Sequence, residues 1–166
     1  MEKIVECVPN FSEGRDRAVI GQITEAIESV QGVSLLDVDP GESTNRTVVT
    51  FIGEPGPVAE AAFRAVQKAA DLIDMTTHSG EHARFGATDV CPFVPVAGVT
   101  MEECADLARS VGQRVGEELG IPVYLYEHAA SGPDRQTWPT SGRESTRACP
   151  RNWPTRNGNR ILAPPS

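Results

Sequence analysis

Hydrophobic and polar positions along the chain fall into two kinds of segment, one with the spacing of strands and one with the spacing of helices. Short apolar runs predict strands at residues 3–8, 33–38, 46–52, about 89–97 and 121–126. Apolar positions at helical spacing predict helices over 15–30, over 55–73, and from the capping box at Thr100 and Glu103 onward to Leu119. Clusters of turn residues at 10–14 and 40–45 predict turns.

The order of these elements indicates the fold class. The first six follow the order β-α-β-β-α-β, which is typical of the ferredoxin-like arrangement. We therefore expect an α+β fold with a ferredoxin-like sheet, helices on one face, and an extra helix and strand as an extension.

Composition changes near residue 136. The last thirty residues, 137–166, contain five arginines, five prolines and both tryptophans but a single acid, Glu144. The whole chain of 166 residues carries a net charge of −8. We therefore predict a domain over residues 1–136, followed by an irregular tail over residues 137–166.

Charge and cysteine usage narrow the class of partner. A net charge of −8 argues against nucleic acid or an anionic membrane surface as a partner. The chain has no apolar stretch of about 20 residues and begins without the pattern of a signal peptide. Its four cysteines form no C-x-x-C pair. These features predict a cytoplasmic protein whose ligands are small molecules.

The segment from His78 to Pro92 is the richest in chemistry. It contains His78, His82, Arg84 and Asp89 among glycines, and histidine exchanges protons near neutral pH because its ordinary pKa is about 6.5. A proton-transfer loop and a solvated loop both fit this composition.

The same segment matches the H-x-x-E-H pattern of a zinc hydrolase. His78, Glu81 and His82 would supply this site, which needs both histidines on one helical face. Gly80 and Gly86 argue against a helix at this point. We therefore expect no metal.

Three further motifs contain polar residues that suit a ligand but also suit ordinary turns. Asp37 and Asp39 share one face of a strand, because side chains alternate. The run Ser43, Thr44, Asn45 and Arg46 could bind a carboxylate. The run Asn10 to Gly14 has the same two interpretations.

Taken together, these motifs resemble the N-terminal subdomain of glutamate formiminotransferase. The resemblance is collinear over residues 3–130 and rests on VECVPNFSEG from Val5, LLDVD from Leu35, STNRT from Ser43, GEH from Gly80 and VCPFVPV from Val90. PVYLY from Pro122 adds to it, and Ala83 departs from the usual proline.

The resemblance implies transfer of a formimino group from N-formimino-L-glutamate to tetrahydrofolate as co-substrate, within histidine breakdown and without a metal. It implies that His82 is the acid/base catalyst and that Asp39 supports it. The residues expected to bind substrate are Asn10, Ser43, Thr44, Asn45, Arg46, His78, Arg84, Gly86 and Asp89.

The family's active unit has two such subdomains with the ligands between them, and this sequence resembles one of them. We therefore expect weak or no activity unless a C-terminal subdomain or a homodimer completes the site. A non-catalytic module that binds folate, substrate or a partner is the alternative function, and the zinc hydrolase is the third.

The tail suggests a shift of reading frame. Read one nucleotide earlier, with permitted codons, residues 137–164 become NLADIREGEYEGLPEELADPEWEPDFGP, which resembles the continuation of the family. We predict a single-nucleotide frameshift near codon 136. A tail rich in arginine and proline without fixed structure is the alternative.

Overall fold

The computed structural model describes residues 2–74, 86–121, 123–125 and 161–163. The strands in these ranges are β1 (Ile4–Cys7), β2 (Asn10–Phe11), β3 (Val33–Gly41), β4 (Arg46–Gly53), β5 (Thr88–Val90), β6 (Phe93–Ala97), β7 (Val123–Leu125) and β8 (Ile161–Ala163). The helices are α1 (Arg17–Glu28), α2 (Pro55–Leu72) and α3 (Met101–Arg114), and α3 continues into a π-helical turn (Val115–Leu119). The prediction of an α+β fold is confirmed.

Strand β4 lies between two sets of partners in one sheet. Strand β3 pairs along one side of β4, and β1 and β2 pair in turn along the other side. Strands β6 and β5 then pair with β1 and β2, and all of these contacts are antiparallel. Strand β8 extends the sheet between β5 and β7 through parallel contacts.

The side chains of β4 alternate between a buried face and a partly exposed face. Val49 and Phe51 are 1% and 0% exposed, and they join one hydrophobic cluster with residues of all three helices, such as Ile23, Val58 and Cys104. The helices therefore cover one face of the sheet. We call the opposite side the far face, which carries Glu6, Asn10, Arg46, Val48, Thr50 and Ile52.

Local sequence explains where two of the helices begin. The Asp16 side chain accepts hydrogen bonds from the amides of Ala18 and Val19, which are free donors at the start of α1. Thr100 and Glu103 form the predicted capping box at the start of α3, with bonds of 3.1 and 3.2 Å.

Two strand predictions were wrong in detail. Asn10 and Phe11 form strand β2 instead of a turn, because Phe11 is 1% exposed and pairs with both neighbouring strands. The single strand predicted at 89–97 is two strands, β5 and β6, separated by Cys91 and Pro92. Proline lacks the amide hydrogen that a continuous ladder requires.

Two segment ends also differ from the predictions. Strand β3 continues through Pro40 and Gly41, which were predicted to form a turn. Proline is tolerated there because β3 lies at the edge of the described sheet. In the tail, which was predicted to be irregular, Ile161–Ala163 forms strand β8. The other tail residues lie outside the described ranges.

Candidate functional site

The side chains of Asn10, Arg46 and Asp89 meet across three adjacent strands. Arg46 Nε donates to Asn10 Oδ1 at 2.9 Å, and Arg46 Nη1 lies 3.1 Å from Asp89 Oδ2. Asn10 Nδ2 donates in turn to the Val8 carbonyl at 3.1 Å. The fold thus brings together three of the residues that were expected from the sequence to bind substrate, although they are distant along the chain.

The two charged side chains of this cluster are buried to different extents. The side chains of Arg46 and Asp89 are 17% and 4% exposed, so the guanidinium is the more accessible of the two charged groups. A guanidinium held on two sides keeps its planar donors in one orientation, which suits recognition of a carboxylate. In this arrangement the Asp89 carboxylate helps to orient the Arg46 guanidinium.

The turn between β3 and β4 places its polar residues at different depths. Ser43 is exposed and Thr44 is partly exposed, whereas Asn45 is 7% exposed. Asn45 Oδ1 accepts a hydrogen bond of 2.9 Å from the Gly14 amide. Hence Asn45, predicted to bind substrate, directs its carbonyl oxygen to the neighbouring backbone.

Gly14 allows this turn to approach closely. A Cβ atom at Gly14 would stand 2.2 Å from the Gly41 carbonyl oxygen, a distance that no side chain tolerates. The two motifs that the sequence left ambiguous, 10–14 and 43–46, are therefore packed together.

Ser12 contacts the residues that follow the histidine segment, although the sequence singled out only the run 10–14 as a whole. Its hydroxyl donates to the Gly86 carbonyl at 2.6 Å and its amide donates to the Ala87 carbonyl at 2.8 Å. Gly86, one of the predicted substrate-binding residues, is buried at this point. A serine beside turn residues is common, so its sequence position gave no signal of these contacts.

Asp39 lies on the far face, in the same cross-strand row as Asn10. Val48 pairs with Asp39 on one side and with Asn10 on the other, so the three side chains project to one face. Two strand spacings put the Asp39 and Asn10 backbones roughly 10 Å apart. Asp37 pairs with Thr50 and shares the far face, which confirms the predicted common face of the two aspartates.

His78, His82 and Arg84 lie outside the described residues, so the predicted catalyst and two predicted binding residues are not placed. Glu81 of the zinc pattern also lies outside them. Within the described part of the chain, no cluster of three or more histidine, cysteine or acidic side chains could hold a metal ion.

Two cysteines lie on the core side of the sheet. Cys7 and Cys91 are buried thiols whose sulfur atoms are 3.7 Å apart. Burial, followed by the hydrogen bond with Cys91, raises the pKa of the Cys7 thiol well above its ordinary value. A protonated, buried thiol is a poor nucleophile, so Cys7 has a packing role.

In the described ranges no helix has both the length and the apolar character that crossing a bilayer requires.

The sequence matches the family model of the formiminotransferase domain, N-terminal subdomain, over residues 4–157. It is 58% identical over 139 residues to the formimidoyltransferase-cyclodeaminase of Mus musculus, which covers 84% of this chain and 26% of that protein. It is 56% identical over 132 residues to the glutamate formimidoyltransferase of Thermoplasma acidophilum, with 80% and 44% covered. The protein of that name from Streptococcus pyogenes serotype M1 is 51% identical over 136 residues, with 82% and 46% covered. The chain thus spans about a quarter to a half of the length of these relatives.

Proposed function

This chain belongs to the formiminotransferase family, and on that premise we propose that it is the N-terminal half of a glutamate formimidoyltransferase. The reaction moves the formimino group of N-formimino-L-glutamate to tetrahydrofolate, within histidine and folate one-carbon metabolism. The observation that carries this proposal is the identity of 51–58% with proteins named for this activity. Because these relatives are transferases, neither the binding module nor the zinc hydrolase is favoured.

His82 has the role of proton carrier in this proposal. A folate nitrogen attacks the formimino carbon, a tetrahedral intermediate forms, and the bond to the glutamate nitrogen breaks. One proton leaves the attacking nitrogen and one reaches the departing nitrogen, and a single histidine near its pKa can serve both steps. Asp39 orients this histidine or stabilises its cation, a role that its exposed position on the far face permits.

Arg46 binds a carboxylate in this proposal. Formiminoglutamate carries carboxylates, and folate carries them on its glutamate tail, so either ligand offers a partner for the guanidinium. The fixed orientation of Arg46 by Asn10 and Asp89 supports this role. The exposure of Ser43 at the neighbouring turn supports an additional contact through its hydroxyl.

The complete site needs a second wall. This chain spans 44% and 46% of two glutamate formimidoyltransferases, so the rest of their length is available to form that wall. Catalysis depends on holding two reactants in one orientation, and half a site loses much of this advantage. We expect a covalently continuous C-terminal half, or a second copy of the chain in a homodimer, to complete the site.

We infer that the first six elements form a ferredoxin-like arrangement. Treating β1 with β2 and β5 with β6 as two interrupted strands gives the sheet order fourth, first, third, second. This order, with antiparallel neighbours, supports a ferredoxin-like arrangement for the first six elements.

The location of the protein is proposed from its cysteines. Cys7 and Cys91 are neighbouring free thiols, and this supports a cytoplasmic location, where thiols stay reduced.

We also propose that residues 137–166 arise from a frameshift and lie outside the functional subdomain. The change of composition supports this boundary, whereas the family match extends to residue 157 and β8 pairs with β5 and β7. Sequencing the gene around codon 136 is the direct test. An intact, unshifted reading frame through the codon for Ser166 would exclude the frameshift.

The proposed function is tested by completing the chain. Residues 1–135 are joined to the C-terminal half of the Thermoplasma acidophilum relative, which is 56% identical over the matched region. Formimino transfer from formiminoglutamate to tetrahydrofolate is then measured for the joined protein and for the 166-residue chain. We expect turnover by the joined protein and little or none by the short chain.

The matched control is His82→Ala in the joined protein, which should abolish turnover while folate binding persists. Folate binding without turnover in the unsubstituted joined protein would favour a binding module. Undiminished turnover in His82→Ala would exclude His82 as the catalyst.

A further inference from the structure

Ser12 connects two parts of the candidate site. Its hydroxyl and its amide hold the successive carbonyls of Gly86 and Ala87, at 2.6 and 2.8 Å. Ser12 is 0% exposed, so water does not compete for these bonds. Gly86 is the fourth residue after His82 in the sequence, so both bonds fix the chain directly after the segment that carries the proposed catalyst.

The residues that follow Ser12 are fixed to the start of β4. Thr47 Oγ1 donates to the Glu13 carbonyl at 2.5 Å, and the Gly14 amide donates to Asn45 Oδ1 at 2.9 Å. Asn45 and Thr47 flank Arg46 on both sides in the chain. Residues 12–14 therefore link the backbone around Arg46 to the backbone at 86–87 through four hydrogen bonds.

We propose that Ser12 is a positioning residue of the transfer site, which holds Gly86 and Ala87 at a fixed place relative to Arg46. The inference rests on the proposed function, in which His82 moves protons and Arg46 binds a carboxylate. Ser12 itself is buried and acts through Gly86 and Ala87.

The Ser12→Ala variant removes one of these bonds and keeps the fold. The alanine amide still donates to Ala87, whereas the buried Gly86 carbonyl loses its hydroxyl partner. The chain at 86 then gains local freedom. A displacement of about 1 Å in a catalytic group can lower the rate about a hundredfold, so kcat is expected to fall roughly 10–100-fold. The KM values for formiminoglutamate and for tetrahydrofolate should both stay within about twofold, because Arg46 keeps its own contacts whichever carboxylate it binds.

Two measurements test the proposal. Hydrogen–deuterium exchange is followed in the 166-residue chain, in peptides covering residues 86–97 and in peptides of α2 as an internal reference. Kinetic constants are measured in the joined protein described above. The control for general destabilisation is Ile23→Val in α1, a core residue that is 1% exposed. Exchange and kinetics are compared at a temperature where both variants are fully folded.

Support consists of faster exchange at 86–97 with a lower kcat in Ser12→Ala, and neither effect in Ile23→Val. Unchanged exchange at 86–97 would overturn the anchoring role, whatever the activity. Faster exchange with an unchanged kcat would make Ser12 a purely structural residue and overturn the positioning role. Full turnover in His82→Ala would remove the catalyst that Ser12 is proposed to position, and the failure would then lie in the proposed function.

Discussion

At the scale of one residue, Asn45 stabilises its turn through both its backbone angle and its side chain. Its φ of 51° lies in the left-handed region, and its Oδ1 accepts a hydrogen bond from the buried Gly14 amide. Asn45→Ala should lose roughly 2–3 kcal/mol of unfolding free energy, because alanine is strained in the left-handed region and leaves the Gly14 amide without its hydrogen bond. Asn45→Gly avoids the strain and should lose about 1 kcal/mol less. Urea unfolding measures both values, and equal losses would contradict the role assigned to the backbone angle.

The chemistry of single residues was easier to predict than their partners. Asn10, Arg46 and Asp89 were nominated because their side chains suit ligand binding, but their mutual contacts depend on the register of three strands. Ser12 was missed for the same reason, since its partners at 86 and 87 are close to it only in the folded chain. Side-chain type is local information, whereas the pairing of distant segments is not.

At the scale of elements, the capping box of α3 gives a direct test of a sequence prediction. Thr100→Ala removes the hydroxyl that accepts from the Glu103 amide at 3.1 Å. We expect a loss of about 1 kcal/mol in unfolding free energy, whereas Thr100→Ser should retain most of it. Urea unfolding of both variants measures the difference. If serine were as destabilising as alanine, the hydroxyl would not be the stabilising group.

Glu60 of α2 and Arg114 at the end of α3 connect these two helices. Glu60 accepts hydrogen bonds from Arg114 and Arg64, and the bond from Arg114 is the main cause of its lowered pKa. A carboxylate with a lower pKa in the folded state stabilises that state above its unfolded pKa of about 4.3, and this stabilisation is lost as the pH falls through the folded pKa.

The difference in unfolding free energy between the native chain and Glu60→Gln should therefore be constant from about pH 7 to 5 and shrink below about pH 4. Urea unfolding across this range measures it. In an Arg114→Gln background the pH dependence should become weaker. If it persisted at full size, Arg114 would not be the cause of the shift.

Elements themselves were predicted well where apolar spacing is strong and poorly where a short segment is decided by its neighbours. The helices and β4 follow their periodicity closely. Strand β2 has the composition of a turn, yet burial of Phe11 between two strands determines its state. The break between β5 and β6 coincides with Pro92, a residue whose effect on a strand is known in advance.

At the scale of the whole molecule, one face of the sheet lies in the core and the far face carries the residues proposed to bind ligands. Val49 is 1% exposed in the core, whereas its neighbour Val48 is partly exposed on the far face between Asn10 and Asp39. The same substitution at these two consecutive positions therefore tests the division. Val49→Arg places an unpaired charge in the core and should cost at least about 3 kcal/mol, enough to unfold a marginal domain.

Val48→Arg should change the unfolding free energy by only about 1 kcal/mol, since its charge remains partly in water and faces Asp39 across the strand pair. In the joined protein it should lower kcat/KM at least about tenfold, because a long cation then occupies the row between Asn10 and Asp39. Urea unfolding and the transfer assay measure the two effects separately. A stable Val48→Arg protein with full activity would show that ligands bind elsewhere, and its unfolding would show that the far face is part of the core.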